Sequence, residues 1–100
     1  MKYNKLVRDK IPEIIKKNGG VAVIQIAGEA EYYEKLKEKL SEEIEEFKKD
    51  ENMEELADIF EVMEAILDYK GFDLTKIREI QKKKVAERGG FKKRIILDES

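Results

Sequence analysis

Two long segments of helical periodicity, Glu29–Lys49 and Met53–Lys70, stand only three residues apart, and that spacing constrains this chain more than any other feature. Nothing from Glu29 to Lys49 breaks a helix, and Tyr32, Tyr33, Leu36, Leu40, Ile44 and Phe47 recur at steps that line one helical face. "KKDEN" supplies a turn, with Asp50 or Asn52 available to cap the next helix, which Gly71 closes. So short a link predicts two neighbouring helices in an antiparallel hairpin.

The flanks read as smaller elements. Between Arg8 and Asn18 the residues Ile11, Ile14 and Ile15 recur at helical spacing, Asp9 can cap, Pro12 suits a first turn and Gly19-Gly20 ends the pattern. Val21–Ala27 and Arg94–Asp98 are short and rich in β-branched residues, which predicts strands that pair with each other, since a lone strand leaves its backbone groups unsatisfied. Asp73 can cap a fourth helix with Leu74, Ile77, Ile80 and Val85 inward, ended by Gly89-Gly90. The expected fold is mainly α, a helical hairpin with one or two short peripheral β-strands, in a single domain spanning residues 1–100.

Composition then limits the chemistry. There is no histidine and no cysteine, so imidazole and thiolate ligands, disulfides and a histidine general base are excluded, and any metal must be held by oxygen. No apolar run of roughly 18 residues and no secretion-type start are present, so no membrane association and a cytoplasmic location are expected. The net charge of -2 argues against a nucleic-acid partner, which only "QKKKVAERGGFKKR" suggests. High Lys and Glu content resembles that of heat-adapted proteins. Acidic residues crowd positions 29–64 between basic termini, a layout suited to a metal–polyphosphate complex or to ion pairs within the fold.

Helical phase selects among the acids. With Tyr32 at zero, the apolar stripe of the first long helix runs to about 120°; Glu43 at about 20° lies inside it and Glu46 at about 320° on its edge. Glu42 and Glu45, at about 280° and about 220°, fall on the solvent side. On the next helix Glu55 and Asp58 lie in the widened apolar arc, whereas Glu54, Glu61, Glu64 and Asp68 read as solvated surface. Four convergent carboxylates stay charged together only if a hard cation neutralises them, which points to magnesium. Plainer roles are open too: Glu55 as partner of Asn52 in a capping box, and Glu43 and Glu46 as ion-pair partners of Lys39 or Lys49. Asp58, in mid-helix between Leu56-Ala57 and Ile59-Phe60, gains nothing from helix propensity.

"EEIEE" followed by "EELAD" resembles the EExxE…ExxD signature of the all-α nucleoside triphosphate pyrophosphohydrolases, the MazG-like superfamily. Phe47, the run "DIFEVMEAI", and the stretches "YNKLVRDKIPEII" and "ERGGFKKRI" are similar to the short phosphoribosyl-ATP pyrophosphohydrolase-like members, so the resemblance runs nearly end to end. It implies a MazG-like helical bundle completed by oligomerisation, a homodimer or a tetramer. It also implies hydrolysis of a nucleoside triphosphate, including non-standard ones, to the monophosphate and pyrophosphate in a house-cleaning role. The metal ligands and catalytic acids would be Glu43, Glu46, Glu55 and Asp58, holding Mg2+ or Mn2+. One departure is the gap of eight residues from Phe47 to Glu54, shorter than in many MazG-type members, which would narrow the nucleotide pocket.

Lys5, Arg8, Lys10, Arg88 and Arg94 are the candidate phosphate contacts, because guanidinium and ammonium groups complement phosphate oxygens. Tyr32, Tyr33 and Phe47 fit an interface core or a surface for stacking a base. Two other functions fit the same sequence: hydrolysis of phosphoribosyl-ATP or a related metabolite, and a non-enzymatic helical binding or regulatory module.

Overall fold

The computed structural model describes residues 3–100. Four helices follow one another along the chain: α1 (Ile11–Lys17), α2 (Glu29–Lys49), α3 (Met53–Lys70) and α4 (Leu74–Arg88). The two long helices have the bounds expected from their periodicity, because both ends of α3 carry strong local signals. Asn52 is extended, and its side chain accepts a hydrogen bond from the Glu55 N–H at 3.0 Å. At the other end Gly71 takes a left-handed φ of 68°, and the Phe72 N–H returns to the Leu67 carbonyl at 3.0 Å, which a Cβ at position 71 would strain. Asp73 caps α4 by accepting from the Thr75 N–H at 2.8 Å.

The one extensive helix–helix packing among the described residues is α2 against α3. Tyr33, near the start of α2, stacks on Tyr69, near the end of α3, with centroids 4.9 Å apart, and Tyr32 meets the same ring edge-on at 5.8 Å. Leu36 and Val62, 2% and 8% exposed, form the small core between the helices. The N-terminal segment is tied across α2: the Lys35 ammonium donates to the Asn4 carbonyl and the Lys5 ammonium to Glu42, both at 2.9 Å.

The structure corrects three expectations. Neither Val21–Ala27 nor Arg94–Asp98 is a strand, and no strand forms among the described residues: these segments do not pair, and β-branched composition cannot make a strand without a ladder partner. Asp9 does not cap α1; the cap position is Lys10, which makes no side-chain cap bond, while Pro12 sits in the first turn as expected. On α4 the residues Leu74, Ile80 and Val85 are exposed and Ile77 alone of the four is half-buried. Gln81, Lys84 and Arg88 fall at helical angles within the same arc, so the four make no continuous apolar stripe to dock.

The chain is drawn out over 55 × 31 × 24 Å, with a radius of gyration of 17.9 Å against about 13 Å for a compact chain of this length. Its surface of 9530 Å2 exceeds the roughly 5,900 Å2 of a compact monomer of the same mass. α3 contributes to that excess: Met53, Leu56, Phe60 and Met63 recur along a second face, turned away from α2, and are 86%, 40%, 56% and 42% exposed. No helix among the described residues is long and apolar enough to cross a membrane.

Since so little else is buried, Leu36 carries much of the packing between α2 and α3. Leu36→Ala is expected to lower the free energy of unfolding by about 3 kcal/mol, read from the midpoint of urea denaturation monitored by circular dichroism.

Candidate functional site

Glu43 is placed where its helical phase puts it, in the seam between α2 and α3, and at 9% exposure it is the one buried charged residue among those described. From the opposing helix Glu55 and Asp58 come to meet it. One carboxylate oxygen from each of the three lies within 4.8 Å of the others. Glu46 is half-buried on the same side, and its charge reaches Glu55, but it stands outside that group of three.

The local structure explains why Glu55 is available. Its backbone N–H caps α3 through the Asn52 side chain, but the Asn52 N–H bonds to the Asp50 carbonyl at 2.7 Å. The reciprocal half of a capping box is therefore unneeded, and the Glu55 carboxylate turns to the other acids. Its partial burial, and then the negative charges of Asp58, Glu46, Glu43 and Asp50, hold the Glu55 carboxyl above its ordinary pKa.

Its two neighbours are compensated. The Lys39 ammonium, one helical turn before Glu43, approaches that carboxylate to 3.3 Å, one of the two ion-pair partners open to Glu43 from the sequence. Arg8, from the segment preceding α1, donates to Asp58 at 2.7 Å and lies 4.0 Å from Glu61. Glu42, placed on the solvent side by phase, is instead half-buried beneath Lys5, whose hydrogen bond holds the Glu42 carboxyl below its ordinary pKa. That pairing is 37 residues apart along the chain and left no sequence signal. Glu54, Glu61, Glu64 and Asp68 are exposed as expected, though Glu61 also borders the cleft described next.

A cleft of about 420 Å3 runs between the N-terminal segment and the two long helices, lined by Arg8, Lys10, Lys39, Glu43, Asp58 and Glu61 over an apolar floor that includes Leu36 and Val62. Of the five candidate phosphate contacts, Arg8 and Lys10 line this cleft and Lys5 stands beside it on Glu42. Arg88 and Arg94 are elsewhere, in a second concavity with Phe91, Lys93, Ile95 and Ile96. Tyr32 borders the cleft, whereas Tyr33 lies under the ammonium groups of Lys37 and Lys70, at 4.6 and 4.7 Å from its ring centre.

Three oxygen ligands from two rigid helices fit a hard divalent cation. Such an ion holds oxygens at about 2.1 Å, so neighbouring ligands lie about 3.0 Å apart and opposite ones about 4.2 Å; the three carboxylates, each with an oxygen within 4.8 Å of the others, would close on it by side-chain adjustment. No protein-family model matches the chain, and no curated protein or solved structure matches it.

The raised pKa of Glu55 has a sign that can be tested. A carboxyl whose pKa is higher in the folded than in the unfolded state opposes folding once ionised, and the penalty vanishes below the unfolded value. In metal-free buffer Glu55→Gln is expected to raise the melting temperature at pH 7, the gain shrinking as pH falls and disappearing below about pH 4, as followed by thermal melts across that range.

Proposed function

We propose that the protein is a Mg2+-dependent nucleoside triphosphate pyrophosphohydrolase of the MazG-like type, cleaving standard or non-standard nucleotides to the monophosphate and pyrophosphate. The observation that carries this reading is the meeting of the Glu43, Glu55 and Asp58 carboxylates across the α2–α3 seam. These are three of the four acids that the EExxE…ExxD resemblance implies, and phase on two separate helices picked them out independently. Glu43, Glu55 and Asp58 would hold Mg2+ or Mn2+. When bound, such an ion offsets the charge that develops on the leaving pyrophosphate and favours ionisation of an attacking water.

The chain's own groups supply the rest. With no histidine, the proton acceptor is a carboxylate, and Glu46, beside the three, is available as that acceptor or as a fourth ligand. Arg8 and Lys10 face the cleft from one wall and give it cations for phosphate oxygens, with Lys5 adjacent. The apolar floor and Tyr32 offer a surface for a base or a sugar.

The finer architecture belongs to the same proposal: α2 and α3 form an antiparallel hairpin, and a homodimer or tetramer completes the bundle. The large exposed surface and the open Met53–Leu56–Phe60–Met63 face of α3 support it, because an apolar stripe this long is unusual on an isolated chain. Arg88 and Arg94, remote from the acids within one chain, would reach phosphate only from another copy.

The test is pyrophosphate release from a panel of ribo- and deoxynucleoside triphosphates and phosphoribosyl-ATP, with and without Mg2+. Metal-dependent release is expected from the wild type, reduced at least about 100-fold in Glu43→Gln and Asp58→Asn. Undiminished turnover in Asp58→Asn would defeat the scheme, and release from phosphoribosyl-ATP alone would move the substrate to that metabolite class.

A further inference from the structure

Resting on the reading of Glu43, Glu55 and Asp58 as cation ligands, we propose that Arg8 and a divalent cation are alternative partners of Asp58. Arg8 thereby sets the affinity of the acid cluster for the ion. The geometry supplies the first part: the Arg8 guanidinium donates to Asp58 at 2.7 Å, and Asp58 contributes an oxygen to the group of three. A fixed positive charge at that distance from a ligand carboxylate opposes a second cation on the same group.

Among the described residues two cations touch the cluster, and their attachments differ. Lys39 is on α2, four residues before Glu43, and its side chain is 17% exposed, so it is held in the seam by its own helix. Arg8 lies on a segment with no regular secondary structure, and its side chain is 57% exposed over an Asp58 side chain that is 39% exposed. Exposed ion pairs of this kind are weak, so little opposes exchange of the guanidinium. Glu61, 4.0 Å from the other guanidinium nitrogen, gives Arg8 a carboxylate to retain after it leaves Asp58.

The segment need not unfold for this. Lys5 on Glu42 and Lys35 on the Asn4 carbonyl anchor it to α2 through contacts that do not involve the three acids. Exchange is then a movement of the Arg8 side chain within the cleft it already lines. Released from Asp58, the guanidinium remains on the wall of that cleft with the donor it gave to Asp58 free for an anionic substrate, so cation binding and the supply of a phosphate contact become linked.

The experiment is titration of nucleotide-free protein with Mn2+, free ion being read by electron paramagnetic resonance, for the wild type, Arg8→Ala, Arg8→Lys, Lys10→Ala and Glu43→Gln. Arg8→Ala is expected to bind Mn2+ roughly three- to tenfold more tightly than the wild type, with Arg8→Lys between the two. Lys10→Ala, which removes a cleft cation that touches none of the three acids, should stay within about twofold. Unchanged or weaker binding in Arg8→Ala, or equal tightening in Lys10→Ala, overturns the role of Arg8. If that result comes with Mn2+ binding that Glu43→Gln abolishes, the reading of the acids stands; absence of Mn2+ binding in both wild type and Arg8→Ala overturns both.

Discussion

Burial of the Glu43 carboxylate in the seam between α2 and α3 is the constraint around which the rest of the cleft is arranged. A carboxylate taken out of water without compensation costs several kcal/mol, a large share of the stability of a domain this small. The protein supplies one compensation from the same helix, Lys39 at 3.3 Å, yet brings two further acids, Glu55 and Asp58, to the same place. Packing alone gains nothing from that convergence. A site that accepts additional positive charge does.

The surrounding ion pairs show how this concentration of negative charge is tolerated. Lys5 covers Glu42, Lys39 covers Glu43 and Arg8 covers Asp58, so each acid beside the seam on these positions has its own cation. Glu55 is left with other acids as its electrostatic neighbours, and its raised pKa is the consequence. The N-terminal segment owes its position to the same charges, since Lys5 and Arg8 tie it to α2 and α3 respectively. A single electrostatic arrangement therefore fixes both the acids and one wall of the cleft.

The remaining surface has a different character. Val21, Val23, Ile26 and Phe91 are almost fully exposed, and α3 turns a second apolar face outward. Within one chain the hydrophobic gain from α2–α3 packing is confined to a narrow seam, and an amphipathic helix with two apolar faces has work for only one of them. This is the physical basis for an oligomer in the proposed function.

Much of the helical framework was legible in the sequence, because its signals are local. The Asn52 and Asp73 caps, the left-handed Gly71 and the unbroken period of Glu29–Lys49 act over a few residues and yield the bounds of α2 and α3. Phase likewise marked Glu43, Glu55 and Asp58 as inward, since a residue's angle on a helix is set by counting. The tertiary structure decided what counting cannot reach: that Val21–Ala27 and Arg94–Asp98 find no ladder in the described chain, that α4 leaves Leu74, Ile80 and Val85 exposed, and that Arg8 lies on Asp58, 50 residues away. Pairing at that separation depends on which surfaces meet after the helices form, and a side chain's partner across space leaves no period in the sequence around it.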